Sequence, residues 1–364
     1  MRFNCRGADD KYPYLGNHNG LLMVNNLMKP LFTLLLTLSV VSGAVAQDPV
    51  FSQFFAAPLR LNPAFTGISS APRLTVNYRA QYVTFPNAFT TYAVGYEQPI
   101  TNTPSSFGLT AMVDQQADGA YTNTYFAGTY SYEVQVGEEL RARLGFSAGI
   151  LQTSIDFDRF IFGDVVDPID GAGDPTSTME TLQSDAKTDF DAGMGLLIYA
   201  RGLYGGFSID HLNRPNESLF EVNENLYAGR PMRLSFHAGG QINLKRYSNV
   251  RRPAYVTPNI LYTRQAAFEQ LMVGAYFGYG ALYIGGWFRE GFENRDALIA
   301  LVGVRQGVFR LGYSYDLTIS PLRDVPGGLG GVHEISLAFD FGESKELQRR
   351  RFRGRYNDCF GMFR

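Results

Sequence analysis

Cysteine is nearly absent from this chain: Cys5 and Cys359 are the two in 364 residues. A disulfide framework is therefore excluded, whatever the redox compartment. Long apolar runs are also missing. The longest, Leu31 to Val41, falls short of the roughly 20 residues a helix needs to cross a bilayer. Charge of one sign is not in excess, with a net of −2, and nucleic-acid binding would need a basic face. The four histidines, His18, His211, His237 and His333, are scattered without metal-ligand spacing. No G-x-S-x-G, H-E-x-x-H, P-loop or C-x-x-C occurs, so no catalytic set supports an enzyme. No repeat of constant sequence marks a propeller or solenoid.

What is present begins with a secretory signal. Lys29 supplies a positive n-region, Leu31 to Val41 an apolar h-region, and Ala44-Val45-Ala46 a small-residue cleavage site before Gln47. The expected division is an upstream extension over 1–27, a signal peptide over 28–46, a periplasmic N-terminal segment over 47–70, a barrel over 71–341 and a basic tail over 342–364. Polar, aperiodic residues 1–26 fit poorly before a signal, and Met28 or Met23 is the expected start.

Aromatic residues are plentiful, with 22 Tyr and 28 Phe but one Trp, although the mean hydropathy is slightly polar at −0.12. A transmembrane barrel produces this mixture, because every second residue faces lipid and aromatics gather at both interfaces. The decisive signal is period two. Leu140, Ala142, Leu144, Phe146, Ala148 and Ile150 alternate with Arg141, Arg143, Gly145, Ser147 and Gly149. Phe190 to Ile198, Met232 to Ile242, Phe309 to Leu317 and Ile335 to Phe341 alternate likewise. Each segment reads as a strand with one apolar and one polar face.

Strands are expected near 73–84, 88–98, 106–116, 120–135, 139–154, 188–200, 202–210, 232–244, 254–263, 267–278, 281–289, 296–305, 308–317 and 333–341. The fold class is thus all-β, a transmembrane antiparallel β-barrel of about 14 strands. Connections on one side are mostly short. The other side carries three long ones, 156–187, 211–231 and 318–332. Outer-membrane barrels have short periplasmic turns and long extracellular loops, so both termini are expected in the periplasm.

Several clusters carry competing readings. Asp164, Asp167, Asp170 and Asp174 lie in a Gly-containing loop. Oxygen ligands of that kind hold Ca²⁺, but the spacing is not that of an EF-hand, and a solvated acidic loop is the plainer reading of 163–175. Arg141, Arg143, Arg233, Arg310, Asp189, Asp191, Asp316, Glu334 and Asp340 fall on lumen-facing positions. They suit either a selective pore or an ion-pair network that fills the lumen. Arg349, Arg350, Arg351, Arg353 and Arg355 form a basic tail, either solvated or docking an acidic periplasmic partner.

Three blocks carry a family resemblance. The first is Asp48-Pro49-Val50-Phe51-Ser52-Gln53, followed by Asn62-Pro63-Ala64 and Gly67. The second is His211-Leu212-Asn213-Arg214-Pro215, and the third Ser314-Tyr315-Asp316 with Glu334. Together the chain resembles the PorP/SprF family of type IX secretion outer-membrane proteins of Bacteroidota. The family often ends in a Cys-Pro-containing tail, whereas Cys359 here precedes Phe360. The resemblance implies an outer-membrane barrel, embedded in outer-membrane lipid and working with the type IX machinery; the residues themselves point to no catalysis and no cofactor. It also implies partners: a large secreted cargo, such as an adhesin or gliding protein with a C-terminal sorting domain, and a periplasmic peptidoglycan-binding lipoprotein. Loops 156–187 and 211–231, with Asp164, Asp167, Asp170, Asp174, Asn213 and Asn216, are the expected partner-binding loops. A general porin or solute channel is the rival reading. Pro49 and Pro63 oppose ladder pairing, so 47–70 is expected as periplasmic coil or partly inside the barrel mouth, acting as a lid or as a partner-recognition segment.

Overall fold

The computed structural model describes residues 47–69, 71–85, 88–160, 185–217, 219, 229–244, 254–292, 294–321 and 330–343. Fourteen antiparallel strands close into a barrel. They are β1 (Arg73–Gln81), β2 (Phe89–Pro99), β3 (Ser105–Gln116), β4 (Tyr121–Gln135), β5 (Arg141–Ile155), β6 (Ala186–Ala200) and β7 (Leu203–Asp210). Then follow β8 (Arg233–Gly240), broken at Gln241 and resumed over Ile242–Asn243, and β9 (Tyr255–Gln265). The last five are β10 (Phe268–Tyr279), β11 (Leu282–Gly291), β12 (Asn294–Gln306), β13 (Phe309–Thr318) and β14 (Val332–Asp340). Each strand pairs with its sequence neighbours, and β1 pairs with β14 from Arg73↔Asp340 to Gln81↔Val332, so no edge is left open. Phe341 opens a 3₁₀ turn instead of ending the last strand.

Alternation explains the wall. Leu144, Phe146 and Ile150 on β5, Phe190, Met194 and Ile198 on β6, and Ile284 and Phe288 on β11 point outward and are exposed. The residues between them, including Arg143, Ser147, Asp191 and Arg289, are buried in the lumen. An arginine facing lipid at the midplane would cost about 2–4 kcal/mol, which fixes the register of each strand. The tightest turns use left-handed backbone: Gly280 (φ +60°) and Gly307 (φ +59°) occupy two-residue hairpins where a side chain would be strained.

The lumen is not empty. Residues 47–69 run through it as a 3₁₀ turn (Phe54–Ala56), a short helix α1 (Pro58–Leu61) and a second 3₁₀ turn (Pro63–Phe65). Phe54, Phe55, Leu61, Ala64, Phe65 and Ile68 of this segment form one buried cluster with wall residues that include Leu197, Tyr276, Trp287 and Ile299. Burying each large apolar side chain contributes about 1.5–3 kcal/mol. Strand alternation predicts polar inward positions, with 47–70 as periplasmic coil or partly inside the barrel mouth. The wall also presents inward apolar residues, Leu197, Tyr276, Trp287 and Ile299, against the inner segment.

Strand direction gives the path of this segment. The three longest connections leave from the ends of β5, β7 and β13, at one end of the barrel; one longer connection, from β8 to β9, lies at the other. Asp48 contacts Gln265, His211 and Arg233, which all lie at the end with the three longest. Ser69 contacts Asp340, and Pro72 accepts a hydrogen bond from Phe341, at the other end. The chain therefore enters at the long-connection mouth and reaches the short-turn end before starting β1. Asp48 and Phe341 therefore lie at opposite ends of the barrel.

Candidate functional site

The site is the contact between the inner segment and the wall, built in three tiers. At the long-connection mouth, the Asp48 carboxylate is fully buried and held from several directions. Arg230 Nη1 donates to Oδ1 at 2.8 Å, while His211 Nε2 and Arg233 Nη1 lie 2.7 and 3.1 Å from Oδ2. The Asp48 backbone N–H donates to Gln265 Oε1 at 2.9 Å. His211 Nδ1 faces Asp191 Oδ1 at 2.9 Å, and Arg233 also pairs with Asp210 at 2.8 Å. Burial alone would raise the Asp48 pKa, but His211, Arg233 and Arg230 outweigh it and hold the carboxyl well below the usual carboxylate range. Burial acts the opposite way on His211, where Asp48 and Asp191 prevail and push the imidazole up to about 9. His211 adopts φ +58°, so the chain leaves β7 sharply and turns its ring inward.

Beside this cluster, Glu334 acts as a carboxylate cradle. Its Oε1 and Oε2 accept from the backbone N–H groups of Ser52 (2.7 Å) and Gln53 (2.9 Å), and Arg79 pairs with it at 2.7 Å. Ser52 Oγ donates to Asp316 at 2.5 Å, and Arg289 Nη1 bridges Asp316 (2.6 Å) and Ser52 Oγ (2.9 Å). The Gln53 amide donates to Ser314 Oγ at 3.1 Å and accepts from Ser336 Oγ at 2.7 Å.

In the middle tier, Asn62 caps the second 3₁₀ turn by accepting from Ala64 N at 2.8 Å. Its Nδ2 lies 3.1 Å from the carbonyls of Leu196 and Phe207 and 3.0 Å from His237 Nε2. Pro63 at the first position of the turn has no N–H to leave unsatisfied. Two inward wall glycines make room: a Cβ at Gly145 would sit 2.1 Å from Ala64 N, and one at Gly195 would sit 1.8 Å from Asn62 Oδ1. Phe65 packs on Tyr204 and His237. At the short-turn end, the Thr66 carbonyl accepts from Arg143 and Ser131, both at 2.7 Å. Gly67, at φ +72°, donates to Glu97, which pairs with Arg73.

The sequence blocks thus meet in space. Asp48 joins the second block through His211, and Ser52 and Gln53 join the third through Asp316, Ser314 and Glu334. Phe51 is buried, and Pro49 lines a small cavity with Arg60, Arg233 and Leu261. The remaining residues of the second block build the turn after β7. Asn213 accepts from Ala192 N at 3.1 Å and donates to Phe190 O at 2.5 Å, Leu212 N donates to Ala192 O, and Pro215 O accepts from Arg230 N. The Asn216 N–H donates to Asp189 Oδ2 at 2.7 Å. Tyr315 packs against His333.

Asp164, Asp167, Asp170, Asp174, the calcium reading of 163–175, and Arg349, Arg350, Arg351, Arg353 and Arg355 lie outside the described residues. Among the described residues no group of three His, Cys, Asp or Glu side chains is placed to hold a metal ion. Sequence reasoning missed Arg60, Arg79, Arg230, Arg289 and Glu97 as contacts, and gave no role to Gly145 and Gly195. The inward parity of Arg79, Glu97 and Arg289 on their strands was the available signal.

The family model of the type IX secretion system membrane protein PorP/SprF matches residues 44–339. No curated protein matches in sequence. Solved structures that resemble the barrel include the Ralstonia pickettii toluene transporter TbuX, with TM-score 0.44 and 10% identity over 78% of this chain and 93% of that one. The CymD monoaromatic hydrocarbon channel gives 0.44 and 12% over 82% and 95%. A Pseudomonas aeruginosa FadL homologue gives 0.39 and 13% over 77% and 93%. At these TM-scores the likenesses carry no argument about this chain.

Proposed function

This chain belongs to the PorP/SprF family of type IX secretion system membrane proteins, and from that premise we propose that it is a sealed outer-membrane barrel that supports export or surface anchoring of a partner protein. The observation that carries this reading is the occupied lumen. Barrels of 16–18 strands leave an aqueous channel, and a 14-strand wall encloses more space than its own side chains fill. Here that space holds residues 47–69, fastened at both mouths by buried ion pairs and hydrogen bonds. A selective pore would leave its charged lining facing water. In this barrel Arg79, Arg143, Arg233, Arg289, Asp316 and Glu334 are spent on the inner segment and on one another.

With conduction set aside, work falls to the surfaces. The long connections face the exterior and engage the partner's C-terminal domain; the acidic 156–187 and the 211–231 connections are the foremost contacts. The short turns and the basic tail face the periplasm, where a peptidoglycan-binding lipoprotein would dock. Among the described residues no set points to catalysis.

The test is affinity purification of the tagged protein from detergent-solubilised outer membranes, with mass spectrometry of what accompanies it. Recovery of a large surface protein carrying a type IX C-terminal domain is the expected result. A barrel that purifies alone and conducts ions in planar bilayers would replace this reading with the porin one.

A further inference from the structure

We infer that the mature N-terminus is displayed on the outer face of the membrane, at the long-connection mouth, so that the chain passes through its own barrel from the cell surface to the periplasmic end. The inference rests on the proposal that the long connections face the exterior; the path through the lumen rests on register alone.

Contacts of four residues set the direction. Asp48 is bound by His211 and Arg230, which flank the 211–231 connection, and its backbone N–H is held by Gln265, the last residue of β9 before the Ala266 turn. Ser52 reaches Asp316, two residues before β13 ends, and Glu334, two residues after β14 begins. In the opposite sense, Gly67 reaches Glu97 near the short-turn end of β2, and Ser69 reaches the last residue of β14. Between them Phe55 packs on Trp287 and Tyr276, and Asn62 reaches His237, all midway along the wall. A segment folded back into the mouth it came from would contact one end twice; this one contacts each end once.

The consequence concerns partners. The Asp48-to-Gln53 block is buried against the outer mouth, so it is not presented to a periplasmic protein. Gln47, which is exposed, instead lies on the same face as the 211–231 connection. The two ends of the described chain serve opposite sides: the first meets what lies outside, and the last, after Phe341, meets what lies in the periplasm. Because His211 and Arg230 grip Asp48 together, a surface partner that reorganises the 211–231 connection also acts on the start of the inner segment.

The test uses three variants of the full chain, each with one short epitope: after Gln47, after Asp158 in the turn beyond β5, or after Glu138 in the β4–β5 turn. Heat-modifiable gel migration shows that each barrel has folded. Intact cells are then probed with antibody before and after the outer membrane is permeabilised. The expected result is that the Gln47 and Asp158 epitopes are reached on intact cells and the Glu138 epitope only after permeabilisation. If the Asp158 epitope is reached and the Gln47 epitope is not, the inference is overturned while the outward-facing loops stand. If the Glu138 epitope is reached and the Asp158 epitope is not, both fall. Should the Gln47 insertion prevent folding, the Ser52→Cys, Asp316→Cys pair in a Cys359→Ser background decides the path. A cross-link formed by a short thiol reagent supports threading, and its absence in a folded barrel overturns it.

Discussion

Asp48→Ala isolates the latch at the outer mouth. The carboxylate has no solvent exposure, and removing it leaves His211, Arg230 and Arg233 beside an empty position. Breaking a buried pair by deleting one partner costs about 3–5 kcal/mol, because the remaining charge stays buried without compensation. Here the loss is moderated: Asp191 still faces His211, Asp210 still pairs with Arg233, and Glu217 still pairs with Arg230. The lower end, about 3 kcal/mol, is the better figure, and at 1.36 kcal/mol per decade it corresponds to roughly a hundredfold rise in the released fraction. The reading is hydrogen exchange of the Ser52 and Gln53 amides, which Glu334 protects and which are exposed when the segment lifts away. Exchange over 48–54 should quicken by about two orders of magnitude, with peptides from β4 and β5 unchanged. Ser52→Ala, which removes hydroxyl contacts to Asp316 and Arg289, should give less, about 1 kcal/mol or roughly fivefold. If Asp48→Ala behaves no differently from Ser52→Ala, or if the strands loosen along with the segment, the latch reasoning is refuted.

Other expectations follow from the same contacts. Gly145→Ala places a methyl against the Ala64 backbone. It should weaken seating of the inner segment by about 1–3 kcal/mol without unfolding the barrel, read as faster exchange over 60–66 with unchanged heat-modifiable migration. The latch should also depend on pH. His211 is raised from 6.5 to about 9, so its contribution is complete below pH 6.5 and is lost as pH rises through about 9. Asp48 is lowered from 3.8, so its contribution is present above about pH 3.8 and is lost in stronger acid. Seating should therefore be firmest at mildly acidic pH, and His211→Gln should remove the alkaline loss, checked by exchange over 48–54 across pH after correcting for intrinsic rates. Shortening the 161–184 connection should abolish co-purification of the surface partner while leaving the barrel folded, and unchanged recovery would remove that loop from the contact surface.

The wall was legible in the sequence because lipid imposes a rule on every second residue. The segments read as 120–135 and 308–317 are strands over Tyr121–Gln135 and Phe309–Thr318. The inner segment was not legible in the same way. It touches wall on all sides, so no single face is apolar and no period emerges. Phe54 and Phe55 are adjacent yet both buried, which neither strand nor helix periodicity anticipates. The contacts that make the site join positions far apart in the chain, such as Asp48 with His211 and Gln53 with Glu334. Strand parity shows that lumen-facing charges exist, but not that Asp48 of the inner segment meets His211, Arg230 and Arg233. Strand parity likewise fixes where β1 starts and says nothing about the route to it.

The most direct measurement is the conductance of the purified, intact protein in planar bilayers at neutral pH. A sealed barrel should insert without steady current and should conduct once residues 47–69 are deleted from a variant shown to fold by heat-modifiable migration. A stable ohmic conductance from the intact protein, unchanged by that deletion, would contradict a lumen closed by its own N-terminal segment.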